Sequence, residues 1–336
     1  MLLVDSKQEA VHWVGVDVSK ATFDAGLVRD AQRYPRTPLG AVPARQFART
    51  VVGARALVEW LDSLVESADA VRVCMEATGA YSTQLAQWLL AERPSLAPAI
   101  INPAHSAAFI KSLGLRNKTD KIDARALGFY GMERRPAPYE PPTRAMAELR
   151  ALSRYRTRLV QAKVAESNRA GEPVVSRKVA ALQRRRIRQL DRDIGNMDKQ
   201  INTLIQKTPE LKRDFDALTE IYGVGAVTAV TVLSEMGDLR RFGRARQLTA
   251  FAGISPRIRE SGTSVMGKAH LCKQGNGRVR QALYLAAMTT IRGNNDLQRT
   301  YQRLLNNGKT HMAALGAVMR KLLCLMRAII VSGKPY

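Results

Sequence analysis

With 336 residues, 53 of them Lys or Arg and 29 Asp or Glu, the chain has a formal net charge of +24 and a length that calls for two or three domains. A hydrophobic fraction of 46% excludes wholesale disorder. Cys74, Cys272 and Cys324 lie far apart without C-x-x-C spacing, which excludes a disulfide framework and a cysteine zinc site.

The charge is uneven along the chain. Residues 1–150 hold 19 basic and 16 acidic side chains, whereas residues 151–336 hold 34 and 13. Such a surplus points to a polyanionic partner, nucleic acid before a membrane surface.

In chain order, residues 11–28 (VHWVGVDVSKATFDAGLV) are two runs of alternating apolar character around Ser19-Lys20-Ala21, which predicts a β-hairpin. The Arg- and Pro-rich stretch 29–49 reads as a long loop or a third, edge strand. A helix is expected over 51–66, short buried strands at 71–75 and 98–101, and an amphipathic helix (YSTQLAQWLL) between them. Strands alternating with helices predict an α/β sheet domain, closing near the proline-rich segment PAPYEPP at 136–142.

Residues 146–207 read as helical with a break at Gly171-Glu172-Pro173. Ile187, Leu190, Ile194, Met197, Ile201 and Leu204 follow the three-four alternation of a coiled-coil seam. That seam fits a helical hairpin packed on 146–168 or a dimer, and the dimer is the preferred reading. Arg184, Arg185, Arg186 and Arg188 lie on the other side, as solvated charge or as a phosphate-facing stripe. Beyond about residue 214 the chain reads as mainly helical, with a glycine turn at 223–225, a polar loop at 255–278 and helices at 278–292 and 311–330. The expected domains are therefore 1–143, a helical connector at 144–210, and 211–336. The apolar stretch 313–330 is interrupted by Arg320, Lys321 and Arg327, so no membrane span is expected. The N-terminus has no apolar core of signal-peptide length, and the expectation is a soluble, cytoplasmic protein.

Four acids stand out by context. Asp17 interrupts an apolar strand, which is costly unless something pairs with it. Glu76 sits just past the strand VRVCM, at the carboxyl edge where α/β sites gather. Asp120 and Asp123, behind Thr119 as N-cap, fall on one face of the first turn of a helix. Gathered at one point, four carboxylates suit two hard divalent cations such as Mg²⁺, about 3.5–4 Å apart, which can clamp the attacking and leaving oxygens of a phosphoryl transfer. Taken singly, each acid fits a helix cap or a surface position equally well.

The basic region offers two further features. Gly223 and Gly225 open a helix as in helix-hairpin-helix DNA binders, letting backbone N–H groups approach a phosphate, although a plain helix–helix connection reads the same. The loop from Ser255 combines Ser261, Thr263 and Ser264 with Arg257, Arg259, Lys268, His270 and Lys273. One of its hydroxyls could attack phosphorus; chemistry alone does not rank them.

Taken together, GVDVSK, MEATGAY, INPAHSAAF, LRNKTDKIDARAL, IYGVGAVTAVTVLSEMGD, RQLTAFAGISPR and RESGTSVMG resemble the IS110 family of insertion-sequence transposases, in the family's order and over about residues 11–330. The resemblance implies an α/β N-terminal domain of RNase H-like (RuvC-like) fold, a coiled-coil connector, and a mainly α C-terminal transposase domain with a helix-hairpin-helix-like turn. It implies that Asp17, Glu76, Asp120 and Asp123 bind Mg²⁺ and that Ser261 is the nucleophile. Lys118, Arg125, Gly223, Gly225, Arg257, Arg259, Lys268 and Lys273 are expected on the nucleic acid. The implied partners are double-stranded donor and target DNA, a structured guide RNA from the element, and further copies of the chain in a dimer or tetramer. The implied active site is composite, with the carboxylates of one subunit serving the serine of another, in a prokaryotic, nucleoid-associated enzyme. Two alternatives are a RuvC-type hydrolytic nuclease, in which water attacks, and a nucleic-acid-binding protein with a dead site.

Overall fold

The computed structural model describes residues 11–30, 32–66, 70–115, 119–173, 176–257, 260–261, 265–266 and 270–334. The chain divides into two compact units, Met1–Pro141 and Pro142–Tyr336.

In the first unit, β1 (His12–Val18) and β2 (Thr22–Val28) form the expected hairpin. Ser19 closes it, donating from its backbone N–H and its hydroxyl to the Thr22 carbonyl, at 2.9 and 2.8 Å. The stretch 29–49 turns out to be both loop and strand: β3 (Ala44–Ala48) is an antiparallel edge strand on β2. β4 (Val71–Glu76) pairs parallel with β1, and β5 (Ala99–Ile101) pairs parallel with β4. The resulting order is β3-β2-β1-β4-β5.

Alternation along the strands decides which side chains meet which helices. Val14, Val16, Val18, Phe23, Ala25, Leu27, Val73 and Met75 point to one face and pack on Leu57 and Leu61 of α1 (Val51–Asp62) and Leu85 and Leu89 of α2 (Ala80–Glu92). Trp13, Val28 and Cys74 point to the other, against Phe109 of α3 (Pro103–Ser112) and Leu127, Phe129 and Met132 of α4 (Asp120–Arg134). Each such large side chain contributes about 1.5–3 kcal/mol by leaving water. The α4 contact is unusually close. A Cβ on Gly15 would stand 2.0 Å from the Ala124 carbonyl oxygen and 2.1 Å from the Gly128 nitrogen, so only glycine lets α4 lie this near to β1.

The second unit begins with α5 (Arg144–Ala170) and α6 (Arg177–Lys207). Ion pairs Arg156–Asp198 and Lys163–Asp191 run in opposite directions along the two helices, so they form an antiparallel hairpin. Leu190 and Ile201 of the seam are buried, together with Ile205 and with Leu149 and Leu159 of α5. Within the chain, the heptads follow the helical-hairpin alternative: a short connection at 171–176 makes the following helix an antiparallel neighbour, while Ile187, Ile194, Met197 and Leu204 stay only partly buried. α7 (Pro209–Thr219), α8 (Ala226–Met236), α9 (Ala245–Ala252), α10 (Gly277–Thr290), α11 (Asp296–Asn306) and α12 (His311–Ser332) complete the unit around Leu218, Leu233, Met236, Leu248, Leu283, Leu322 and Met326.

α12 is the apolar late stretch of the sequence. Of its three interrupting cations, Arg320 is exposed, while Arg327 Nε donates to the Phe242 carbonyl at 2.7 Å and Lys321 Nζ to Thr300 Oγ1 at 3.1 Å. Among the described residues no helix is long and apolar enough to cross a membrane. The polar loop at 255–278 contains short strands: β6 (Pro256–Arg257) pairs with β9 (His270–Leu271), and β7 (Glu260–Ser261) with β8 (Val265–Met266).

Candidate functional site

The register of the sheet sets three carboxylates side by side. Asp17 is directly opposite Asp24 of β2, and the parallel pairing of β1 with β4, whose last pair is Val16 with Met75, puts Glu76 on its other flank. Directly paired residues share a face, here the face that α4 covers. Neighbouring strands are about 4.8 Å apart, so Asp24, Asp17 and Glu76 span about 10 Å. The close seat of α4 on Gly15 brings its first turn over this row. Thr119 caps that turn, its Oγ1 accepting from the Ile122 N–H at 3.3 Å, and Asp120 and Asp123 are its acids.

Asp17 reports the gathering electrostatically. Burial first, and then the negative charges of Asp120, Asp123, Glu76 and Asp24, push its carboxyl from 3.8 up to about 6. The four sequence-predicted acids are therefore neighbours in the first unit, although they come from three separate stretches of chain. Glu76 is oriented by Ser106, a fully buried residue of α3 whose hydroxyl lies 2.6 Å from Glu76 Oε2 and within reach of the Pro103 carbonyl.

Among the described residues no group of three His, Cys, Asp or Glu side chains is drawn closely enough together to hold a metal ion as it stands. The donor set nevertheless fits a divalent cation of the hard class. Every candidate ligand is a carboxylate oxygen, and the neighbouring negative charges that add to the effect of burial on Asp17 make a field that a cation would neutralise. Asp17, Glu76, Asp120 and Asp123 are the residues that could hold it.

In the second unit Ser261 is placed by its backbone in β7, where it pairs with Val265. The excursion carrying it leaves the helices through a ladder of backbone bonds: Cys272 N–H to the Ser255 carbonyl (2.9 Å), Lys273 N–H to Gly253 (3.2 Å) and Asn276 N–H to Phe251 (2.8 Å). Asn276 also donates from Nδ2 to Glu235 Oε2 at 2.8 Å, and Arg154 grips the same carboxylate with Nε and Nη2 at 2.7 and 2.8 Å. Glu235 is 4% exposed. Burial alone would raise its carboxyl, but the hydrogen bonds from Arg154 and Asn276 and the charges of Arg154 and Arg278 outweigh it and hold the group below its usual range. An ion pair on α5 and α8 thus anchors the base of the serine-bearing excursion.

The expected nucleic-acid contacts fare unevenly. Arg257 and Lys273 are exposed, and Gly225 is the exposed N-cap of α8. Gly223 has φ +89°, and a Cβ there would lie 2.3 Å from Thr290 Oγ1, so this glycine serves the packing of its turn on α10. Arg125 spends Nε on the Val42 carbonyl at 2.9 Å. Lys118, Arg259 and Lys268 lie outside the described residues. Sequence reasoning missed Asp24 and Ser106. Asp24 carried a readable signal, a second acid inside an apolar strand at the mirror position of the hairpin; Ser106 carried none, because its role depends on where α3 docks.

Comparison with known proteins identifies the family. Residues 14–172 match a family model for the DEDD transposase of IS110 elements, and residues 216–302 match the Transposase IS116/IS110/IS902 family. The chain is 30% identical over 325 residues to the pilin gene-inverting protein of Moraxella bovis, covering 96% of this chain and 97% of that one. It is 26% identical over 226 residues to the transposase for insertion sequence element IS1111A of Coxiella burnetii, covering 57% and 59%. On this evidence the chain belongs to the IS110 family of transposases and is an enzyme of DNA recombination.

Proposed function

We propose that this transposase cuts and rejoins DNA through a covalent phosphoserine on Ser261, with Asp17, Glu76, Asp120 and Asp123 holding Mg²⁺. The observation that carries the proposal is the gathering of these four acids around Asp17, from two strand ends and one helix turn. The strand order β3-β2-β1-β4-β5, with β2 alone antiparallel between β1 and β3, supports an RNase H-like reading of the first unit.

Bound there, the cation would supply charge for the oxygens around the reacting phosphorus. The chain's own residues do the rest. Ser106 holds Glu76 in orientation, the seat of α4 on Gly15 holds Asp120 and Asp123 over the strand row, and the Glu235–Arg154 anchor steadies the base of the Ser261 excursion. Attack by Ser261 Oγ forms one phosphorus–oxygen bond as the bond to the departing strand breaks. Bond energy is thereby conserved for religation, which suits rearrangements such as the gene inversion named for the Moraxella relative.

The surplus of 34 basic over 13 acidic side chains in residues 151–336 supports a large phosphate surface, met by donor and target DNA and by a structured guide RNA from the element. Where an RNA pairs with the target, the protein reads mainly backbone and shape. The active form is a homo-oligomer. Replacing Ser261 by Ala tests the mechanism: loss of both cleavage and the protein–DNA adduct supports it. Surviving cleavage would leave a hydrolytic RuvC-type nuclease.

A further inference from the structure

Asp24 is the acid that the family's motif does not count. It is 3% exposed, it sits directly opposite Asp17, and one of its oxygens, Oδ2, accepts a 2.9 Å hydrogen bond from Gln46 Nε2 on β3. The other, Oδ1, is buried with no hydrogen-bond partner among the described residues. No Lys or Arg among them forms an ion pair with it. A purely structural role, tying β3 to β2 through Gln46, leaves this arrangement unexplained. A buried carboxylate with one neutral donor is poorly compensated, and a like charge directly across a strand pair adds repulsion.

We infer that Asp24 is a fifth carboxylate of the cation site, offering Oδ1 to a divalent cation on the β2 side of Asp17 while Gln46 fixes its orientation. The row Gln46–Asp24–Asp17–Glu76 then crosses four adjacent strands at one level of the sheet. Waters and substrate phosphate oxygens fill much of the shell of two such cations, and Asp24 adds a protein oxygen on the β2 side of Asp17, opposite the flank that Glu76 takes. The inference rests on the carboxylate-centre reading proposed above and extends it by one residue.

The test is Mn²⁺ binding to the full-length protein, counted by the electron paramagnetic resonance of the free ion, for the wild type, Asp24→Asn and Asp17→Asn. The inference expects Asp24→Asn to weaken binding about tenfold or more, or to remove one ion from the stoichiometry. If Asp17→Asn abolishes binding while Asp24→Asn stays within twofold of wild type, Asp24 is structural and the inference is overturned with the centre intact. If the wild type binds no Mn²⁺, or Asp17→Asn changes nothing, the centre itself is refuted and the inference falls with it. Thermal unfolding in chelator checks the fold. Should Asp24→Asn fail to fold, Gln46→Leu decides, since it keeps both carboxylates and removes only the orienting donor: a several-fold weaker Mn²⁺ affinity supports the assignment, and wild-type affinity overturns it.

Discussion

Replacing Asp17 by Asn should stabilise the metal-free protein at neutral pH. The fold raises the Asp17 carboxyl from 3.8 to about 6 through burial and the charges of Asp120, Asp123, Glu76 and Asp24. At about 1.4 kcal/mol per decade of proton affinity, that is roughly 3 kcal/mol against the ionised form. The side chain is only partly buried, and solvent screening reduces the figure to about 1–2 kcal/mol, or about 1.5–3 °C in Tm for a protein of this size.

The sign with pH follows from linkage. A carboxyl raised by folding gives stability that is present below its unfolded value and lost as pH rises through its folded value. The wild type therefore weakens between about pH 4 and 6 in a way that Asp17→Asn, always neutral, does not. Thermal unfolding in chelator should show no gap between the two proteins near pH 4, a gap opening toward pH 6, and a constant gap above. Excess MgCl₂ should raise the wild-type Tm and leave the variant nearly unmoved. A variant less stable than wild type in chelator at neutral pH, or a gap independent of pH, would refute the claim that the acids converge.

Three further outcomes follow. Gly15→Ala drives a methyl into the backbone of α4 and should cost about 3 kcal/mol while abolishing DNA cleavage; Gly195→Ala, with open space around it, should instead gain about 0.5–1 kcal/mol, both read by denaturant unfolding. Glu235→Gln removes the charge gripped by Arg154 and should cost about 2–3 kcal/mol at neutral pH; because folding lowers this carboxyl, the difference from wild type should vanish as pH falls below 4.5. Changing Arg184, Arg185 and Arg188, all exposed on α6, to Gln should weaken nucleic-acid binding and lower the slope of log affinity against log salt by about two to three; an unchanged slope would assign them to solvated charge.

Much of the site was legible because its signals are local. An acid inside an apolar strand, an acid at a strand end, and paired acids behind an N-cap can each be recognised within a few residues, and the structure makes them neighbours. Asp24 obeys the same rule as Asp17, and the three-residue turn at 19–21 sets the two opposite each other. It was overlooked because the hairpin's register was not followed across the turn. The heptads of α6 show a different limit. Periodicity reveals that a face is apolar but not what covers it, and here α5 does so. Helix α3 has little periodicity to read: its mixed segment PAHSAAFIKS is fixed by an Asn102 cap, a proline at its start, and Phe109 packing on the α4 side of the sheet.

The central claim joins a carboxylate centre to a nucleophilic serine. Its most direct test is to denature the transposase during reaction with its element's DNA in Mg²⁺, digest it, and identify any peptide carrying a nucleotide by mass spectrometry. The account predicts a nucleotide bonded to Ser261 in the wild type and none in Asp17→Asn. Cut DNA without attached protein, or a nucleotide on Thr263 or Ser264, would contradict it.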